Sequence, residues 1–280
     1  MTDAPGGQHP EPARAQPPAE ADAAPAGGGR VVYGRPSTLE LPALTLDRDE
    51  ALGYVGYAGQ LMDEQLRERF EALAQSCERK LRPAAVWALY ELDERRTRRA
   101  CEARTPEVAL TGCALTLPGR DIARHLEGAR EVALMACTLG AASERELRAL
   151  GARSAVDELL FGACASALVE AAGNAAEARI VAAAAERGLR TNWRFSPGYG
   201  DLPLSIQPQF IRTLDATRRI GVVVNSGGLM VPTKSITAVV GLFDADADAA
   251  GAQAEVRTRC SVCQLAGCCE LRKRGTTCHG

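Results

Sequence analysis

Arg194-Phe195-Ser196-Pro197-Gly198-Tyr199 is a turn that carries a charge. Pro197 fixes its own φ, and Gly198 can take a positive φ and admit a close neighbour to the backbone. Arg194 offers a planar fork that matches a carboxylate, and Tyr199 offers a ring and a hydroxyl. Taken alone, Pro-Gly marks only a turn. The flanking segments decide what the turn serves.

Upstream lies an Ala-rich stretch, residues 154–186. Alanine is the best helix former, so this predicts a long helix, with residues 180–185 extending it or fraying. Downstream, 208–217 reads as a short helix and 220–224 as a strand; Asn225-Ser226-Gly227-Gly228 is a turn and 235–243 another strand. Further out, Thr45 or Asp47 can cap a short helix carrying Ala51, Leu52, Tyr54 and Val55. Residues 62–81 place Leu66, Phe70, Leu73 and Cys77 at helical spacing opposite a charged face. Strands are predicted over 85–92 and 108–117, followed by a turn at Pro118-Gly119-Arg120-Asp121 that enters a helix reaching Leu126. A short apolar run over 132–137 precedes a break at Thr138-Leu139-Gly140 and a helix over 143–150. Helices and strands alternate irregularly, with hairpin-like turns late in the chain. This predicts an α+β fold, not a regular doubly wound sheet.

Residues 1–30 are rich in Pro, Ala and Gly, and too poor in large apolar side chains to offset the entropy of ordering. They are expected to be disordered, with the folded domain spanning 31–243. A small, acidic stretch over 244–255 reads as a linker to a Cys-rich tail, 256–280. The formal net charge of -2 argues against a nucleic-acid partner. No apolar run approaches the roughly 18 residues of a membrane span. The N-terminus lacks a basic segment followed by an apolar one. A cytoplasmic protein without a membrane partner is the expectation.

The turn resembles the S-adenosylmethionine-binding loop of the activation (reactivation) domain of cobalamin-dependent methionine synthase, which reads Arg-Pro-Ala-Pro-Gly-Tyr. Arg194, Pro197, Gly198 and Tyr199 match, while Phe195 and Ser196 depart. Leu168-Val169-Glu170-Ala171 is similar to the family's helix segment with a ligand-binding glutamate. Ile220-Gly221-Val222 and Pro232-Thr233-Lys234-Ser235-Ile236 resemble the strand-turn-strand that follows the loop. Tyr54-Val55-Gly56-Tyr57, His125-Leu126-Glu127-Gly128 and Met135-Ala136-Cys137-Thr138-Leu139-Gly140 look like separately encoded versions of the domain, so the resemblance covers roughly 45–243. The family's N-terminal aspartate has no assigned counterpart.

The resemblance implies a twisted antiparallel sheet with flanking helices, and a module that holds S-adenosylmethionine over the cobalamin of a partner. A flavodoxin-like donor supplies the electron for reductive methylation. Arg194 would pair with the ligand carboxylate and Glu170 with its positive charge. The backbone of Ser196 and Gly198 would contact it, after the turn set by Pro197, and Tyr199 would shape the wall. The chain would then be a methyltransferase component, incomplete without a cobalamin-binding methionine synthase subunit or another corrinoid protein. A metal-stabilised, non-catalytic binding protein is the alternative from a different class.

Five of the ten cysteines fall within the last 21 residues. Cys260, Cys263, Cys268 and Cys278 have the spacing C-x2-C-x4-C-x9-C, with Cys269 or His279 as substitutes. Thiolates so placed suit zinc or an iron–sulfur cluster. The other five, Cys77, Cys101, Cys113, Cys137 and Cys164, are scattered and expected to be small buried hydrophobes.

Overall fold

The computed structural model describes residues 32–57, 59–98 and 105–245. At its centre, β5 (Glu131–Thr138) is buried along its whole length. Its residues alternate between two faces and both faces are covered, which is why they read as an apolar run. β5 pairs antiparallel with β2 (Ala84–Glu91) on one side and β9 (Ser235–Asp244) on the other. β1 (Ser37–Leu39) and β6 (Leu189–Thr191) form the edges of this five-stranded sheet, ordered β1-β2-β5-β9-β6. One face packs against α1 (Arg48–Tyr54), α2 (Glu64–Lys80) and α5 (Ala155–Ala185), with α4 (Ala141–Gly151) against α5. The other face is covered by the hairpin of β3 (Glu107–Ala109) and β4 (Thr116–Pro118), with α3 (Arg120–His125), α6 (Gln207–Thr213) and α7 (Ala216–Ile220). The chain is therefore a mixed α and β fold built on an antiparallel sheet.

Asp47, not Thr45, caps α1, accepting from the backbone N–H groups of Asp49 and Glu50 at 2.8 and 3.0 Å. α5 runs unbroken through Ile180 and Ala184, both buried. By length and composition it could cross a membrane, with a mean hydropathy of 1.4 over 18 residues. The expectation that no run approaches that length is thus corrected. Most of that window, 61%, is buried inside the protein, against the sheet and α1, α2 and α4. Such enclosure goes with apolar side chains on several sides of a helix.

Four further expectations change. The strand over 108–117 is a hairpin in which Val108 and Leu117 face each other, because Gly112 turns the chain with φ +77°. The helix over 208–217 ends at Thr213; Asp215, at φ +49°, separates it from α7. Ile220 belongs to α7, and Gly221 ends that helix with φ +72°, so the predicted strand shrinks to β7 (Val223–Val224), paired with β8 (Met230–Val231). β9 reaches Asp244, into the expected linker, where Arg130 pairs with it at 3.0 Å. Residues 1–30, most of that linker and all the proposed metal ligands lie outside the described residues. Cys77, Cys137 and Cys164 are buried thiols as expected, Cys113 is half-buried, and Cys101 lies outside.

Candidate ligand-binding cleft

The edge of the sheet delivers the Arg194 loop. After β6, Asn192 bonds Gly241 through both its backbone N–H (3.2 Å) and its side-chain oxygen, which accepts from the Gly241 N–H (2.8 Å). Three residues on, Phe195 exchanges both backbone bonds with Val239, each at 2.8 Å. Neighbouring residues along such an edge point to opposite faces. Phe195 therefore joins the core on the α3 and α6 side, while Arg194 reaches α5. Phe195 packs on His125 with ring centroids 5.0 Å apart. His125 Nε2 lies 2.9 Å from the Trp193 carbonyl, which can only accept, so Nε2 carries the proton. Burial pushes the pKa of His125 down to about 4.

The turn that follows has Pro197 second, Gly198 third with φ +98°, and a bond from Tyr199 N–H to Ser196 C=O at 3.0 Å. Gly198 N–H bonds Leu202 C=O at 2.8 Å. Asp201 then buckles the loop to α3: its carboxylate accepts from the N–H groups of Arg120 and Asp121 at 2.6 and 3.0 Å. This substitutes for the side-chain cap that Gly119 lacks.

Arg194 is buried, its side chain only 7% exposed. Glu177 holds it twice. One carboxylate oxygen accepts from the Arg194 backbone N–H at 3.1 Å; the other lies 2.9 Å from Nε, close enough for an ion pair but off the line of a hydrogen bond. Nη2 donates to Asn174 Oδ1 at 2.6 Å and to Glu170 Oε2 at 3.4 Å. Nη1 sits against Gly173, where an added Cβ would lie 2.0 Å away. Glu170, Gly173, Asn174 and Glu177 thus form one stripe on α5, at the spacing that aligns side chains along a helix.

Beside this seat lies a cleft of about 240 Å³. Glu170, Arg194, Ser196, Pro197 and Tyr199 all line it, although Glu170 is 24 residues from Arg194. Gly198 is absent from the lining and serves the turn. Leu204, Met230 and Ile236 add apolar wall. The buried pair Gln207 and Thr237, bonded to each other at 2.8 Å, adds polar groups. Sequence reasoning missed these last two, as it missed Gly173, Asn174 and Glu177. The available signal was the recurrence of polar residues and a glycine at helical spacing in an Ala-rich helix. It also missed Glu50 of α1, which accepts from Tyr54 Oη at 2.8 Å. Burial pushes the Glu50 carboxyl up, and the Glu170 and Asp47 carboxylates add to this while Arg194 opposes it. Glu50 is therefore within electrostatic reach of the cleft. Among the described residues no group of three His, Cys, Asp or Glu could hold a metal ion.

The fold resembles the crystal structure of the MetH reactivation domain bound to AdoHcy. The likeness has a TM-score of 0.55 and 14% identity, and covers 75% of this chain and 79% of that chain. No protein-family model matches the sequence, and no curated protein does. At this identity the likeness speaks for the fold, and the site is argued from the cleft.

Proposed function

We propose that the chain binds S-adenosylmethionine in this cleft and supports reductive methylation of a cobalamin carried by a partner. The observation that carries the reading is the meeting of Arg194, Glu170, Ser196, Pro197 and Tyr199 in one cleft, on a fold similar to a reactivation domain. An amino-acid end needs a guanidinium for its carboxylate and an acid for its ammonium, and Arg194 and Glu170 supply them side by side. Near Arg194 stand the carboxyl groups of Glu50, Glu170 and Glu177. Glu170, which lines the cleft, and Glu50, within electrostatic reach of it, suit a ligand whose sulfonium adds a second positive centre. Pro197, Tyr199, Leu204 and Met230 suit the adenosine. The cleft is smaller than the roughly 300–1,000 Å³ of most small-molecule sites, so part of the ligand stays open to a partner.

The corrinoid supplies the nucleophile that accepts the methyl group. This chain's residues bind and orient the donor, and orientation is a large share of such catalysis. The partner is a cobalamin-binding methionine synthase subunit or another corrinoid protein, with a flavodoxin-like electron donor, in the cytoplasm. We further propose that Cys260, Cys263, Cys268 and Cys278 hold zinc or an iron–sulfur cluster, by their spacing.

Calorimetry with S-adenosylmethionine tests the binding. Wild type should bind and Arg194→Ala should lose most of the affinity. Tyr199→Ala, at a residue 51% exposed, gives a second variant that leaves the core intact and should also weaken binding. Unchanged affinity in both would refute the site. Transfer of labelled methyl from S-adenosylmethionine to a reduced corrinoid protein, dependent on this chain, tests the role.

A further inference from the structure

The two acids that face Arg194 differ in placement. Glu170 lines the cleft, is 32% exposed, and touches only Nη2, at 3.4 Å. Glu177 stands outside the lining, is 15% exposed, and spans the Arg194 backbone N–H and Nε. Asn174 holds Nη2 at 2.6 Å, and Gly173 clears the space for Nη1. Among the described residues Nη1 has no hydrogen bond. A short, buried, two-point contact fixes an arginine, whereas a long, half-buried, one-point contact can be exchanged.

We infer that Glu177 is a positioning residue that holds Arg194 with its Nη1–Nη2 end presented to an incoming carboxylate, while Glu170 occupies that end only until the ligand arrives. This rests on the cleft being a site for S-adenosylmethionine. Glu177 accepts from the Arg194 backbone N–H and sets its charge beside Nε, so the loop and the guanidinium are held together against α5. Glu170, released from Nη2, is then free to face the ligand's ammonium. One helix thereby supplies a permanent counter-charge and a displaceable one, seven residues apart at positions 170 and 177. Groups held in this way before binding lose little freedom when the ligand docks.

The test compares two ligands and two variants. S-Adenosylhomocysteine carries the carboxylate; methylthioadenosine shares the adenosine thioether and lacks the amino-acid end. Glu177→Gln keeps an acceptor for the Arg194 N–H and removes the charge beside Nε. It should weaken S-adenosylhomocysteine binding tenfold or more and leave methylthioadenosine within twofold, and Glu177→Asp should restore part of the loss. Equal losses for both ligands, or no loss for either, would overturn the inference. If Glu177→Gln does not fold, Asn174→Ala with the same ligand pair decides by the same criterion. A readout without ligand separates this inference from the reading beneath it. The Arg194 Nε–H signal, assigned by its absence in Arg194→Lys, should be sharp and slow to exchange in wild type and averaged in Glu177→Gln. Should wild type bind neither ligand, the S-adenosylmethionine reading fails, and this signal still decides whether Glu177 holds Arg194. A signal equally sharp in Glu177→Gln overturns the positioning role.

Discussion

Gly173→Ala should separate helix propensity from the seating of Arg194. Alanine in a helix interior is favoured over glycine by about 1 kcal/mol, so propensity alone predicts a more stable protein. The added Cβ would lie 2.0 Å from Arg194 Nη1, 3.1 Å from Cζ and 3.4 Å from Ile236 Cδ1. Taking 3.4 Å as the onset of ordinary contact, Nη1 must retreat by about 1.4 Å (3.4 − 2.0). That movement breaks the 2.6 Å bond to Asn174 and strains the contact with Glu177. A hydrogen bond to a charged group contributes roughly 1.5–3 kcal/mol. The net expectation is a loss of about 0.5–2 kcal/mol in spite of the better helix former. A guanidinium displaced by more than an ångström should also lower affinity for S-adenosylmethionine on the order of a hundredfold. Urea unfolding and calorimetry read the two effects. If the variant unfolds at higher urea than wild type and binds within threefold of it, Arg194 does not rest on Gly173 and the reasoning fails.

Four other outcomes follow from particular contacts. His125, with its pKa lowered by burial from 6.5 to about 4, stabilises the fold fully above pH 6.5 and progressively less below it; the linkage at pH 5 is about 2 kcal/mol. Comparing urea midpoints at pH 7 and pH 5 should show that difference in wild type and little of it in His125→Gln. Asp201→Ala removes the carboxylate that caps α3 and should lower stability by about 1 kcal/mol in thermal melts; an unchanged melt would count against the buckle. Glu50→Gln removes one negative charge near the cleft, and calorimetry should show S-adenosylmethionine weakened about two- to fivefold, with neutral S-adenosylhomocysteine affected less. Elemental analysis of the purified chain should find zinc or iron near stoichiometry, lost when Cys260 and Cys263 are both replaced by serine.

The elements that depend on neighbours within a few residues emerged from sequence reading. Asp47 caps α1 because its carboxylate is next to the N–H groups it satisfies. Ser154 opens α5 for the same reason, bonding the Asp157 N–H at 3.2 Å. Misreadings arose where a backbone break decided the element. Asp215 at φ +49° splits α6 from α7, and a non-glycine residue in that region is not announced by composition. β6 went unseen because three residues paired with the end of β9 carry too little pattern to stand out.

The site divides in the same way. The turn was read from Pro197 and Gly198, which are local features, whereas Arg194 and Glu170, 24 residues apart, were brought together as candidates only by the resemblance to the reactivation domain. The burial of Arg194, its two-point contact with Glu177 and the placement of Glu50 were decided only by tertiary structure. They depend on β6 running along β9, on the alternation that sends Phe195 and Arg194 to opposite faces, and on α1 packing against α5. Helix caps and turns are governed by contacts within a few residues. The surroundings of a buried charge are set by whichever distant segments the core brings against it, and no single window of this sequence contains those segments together.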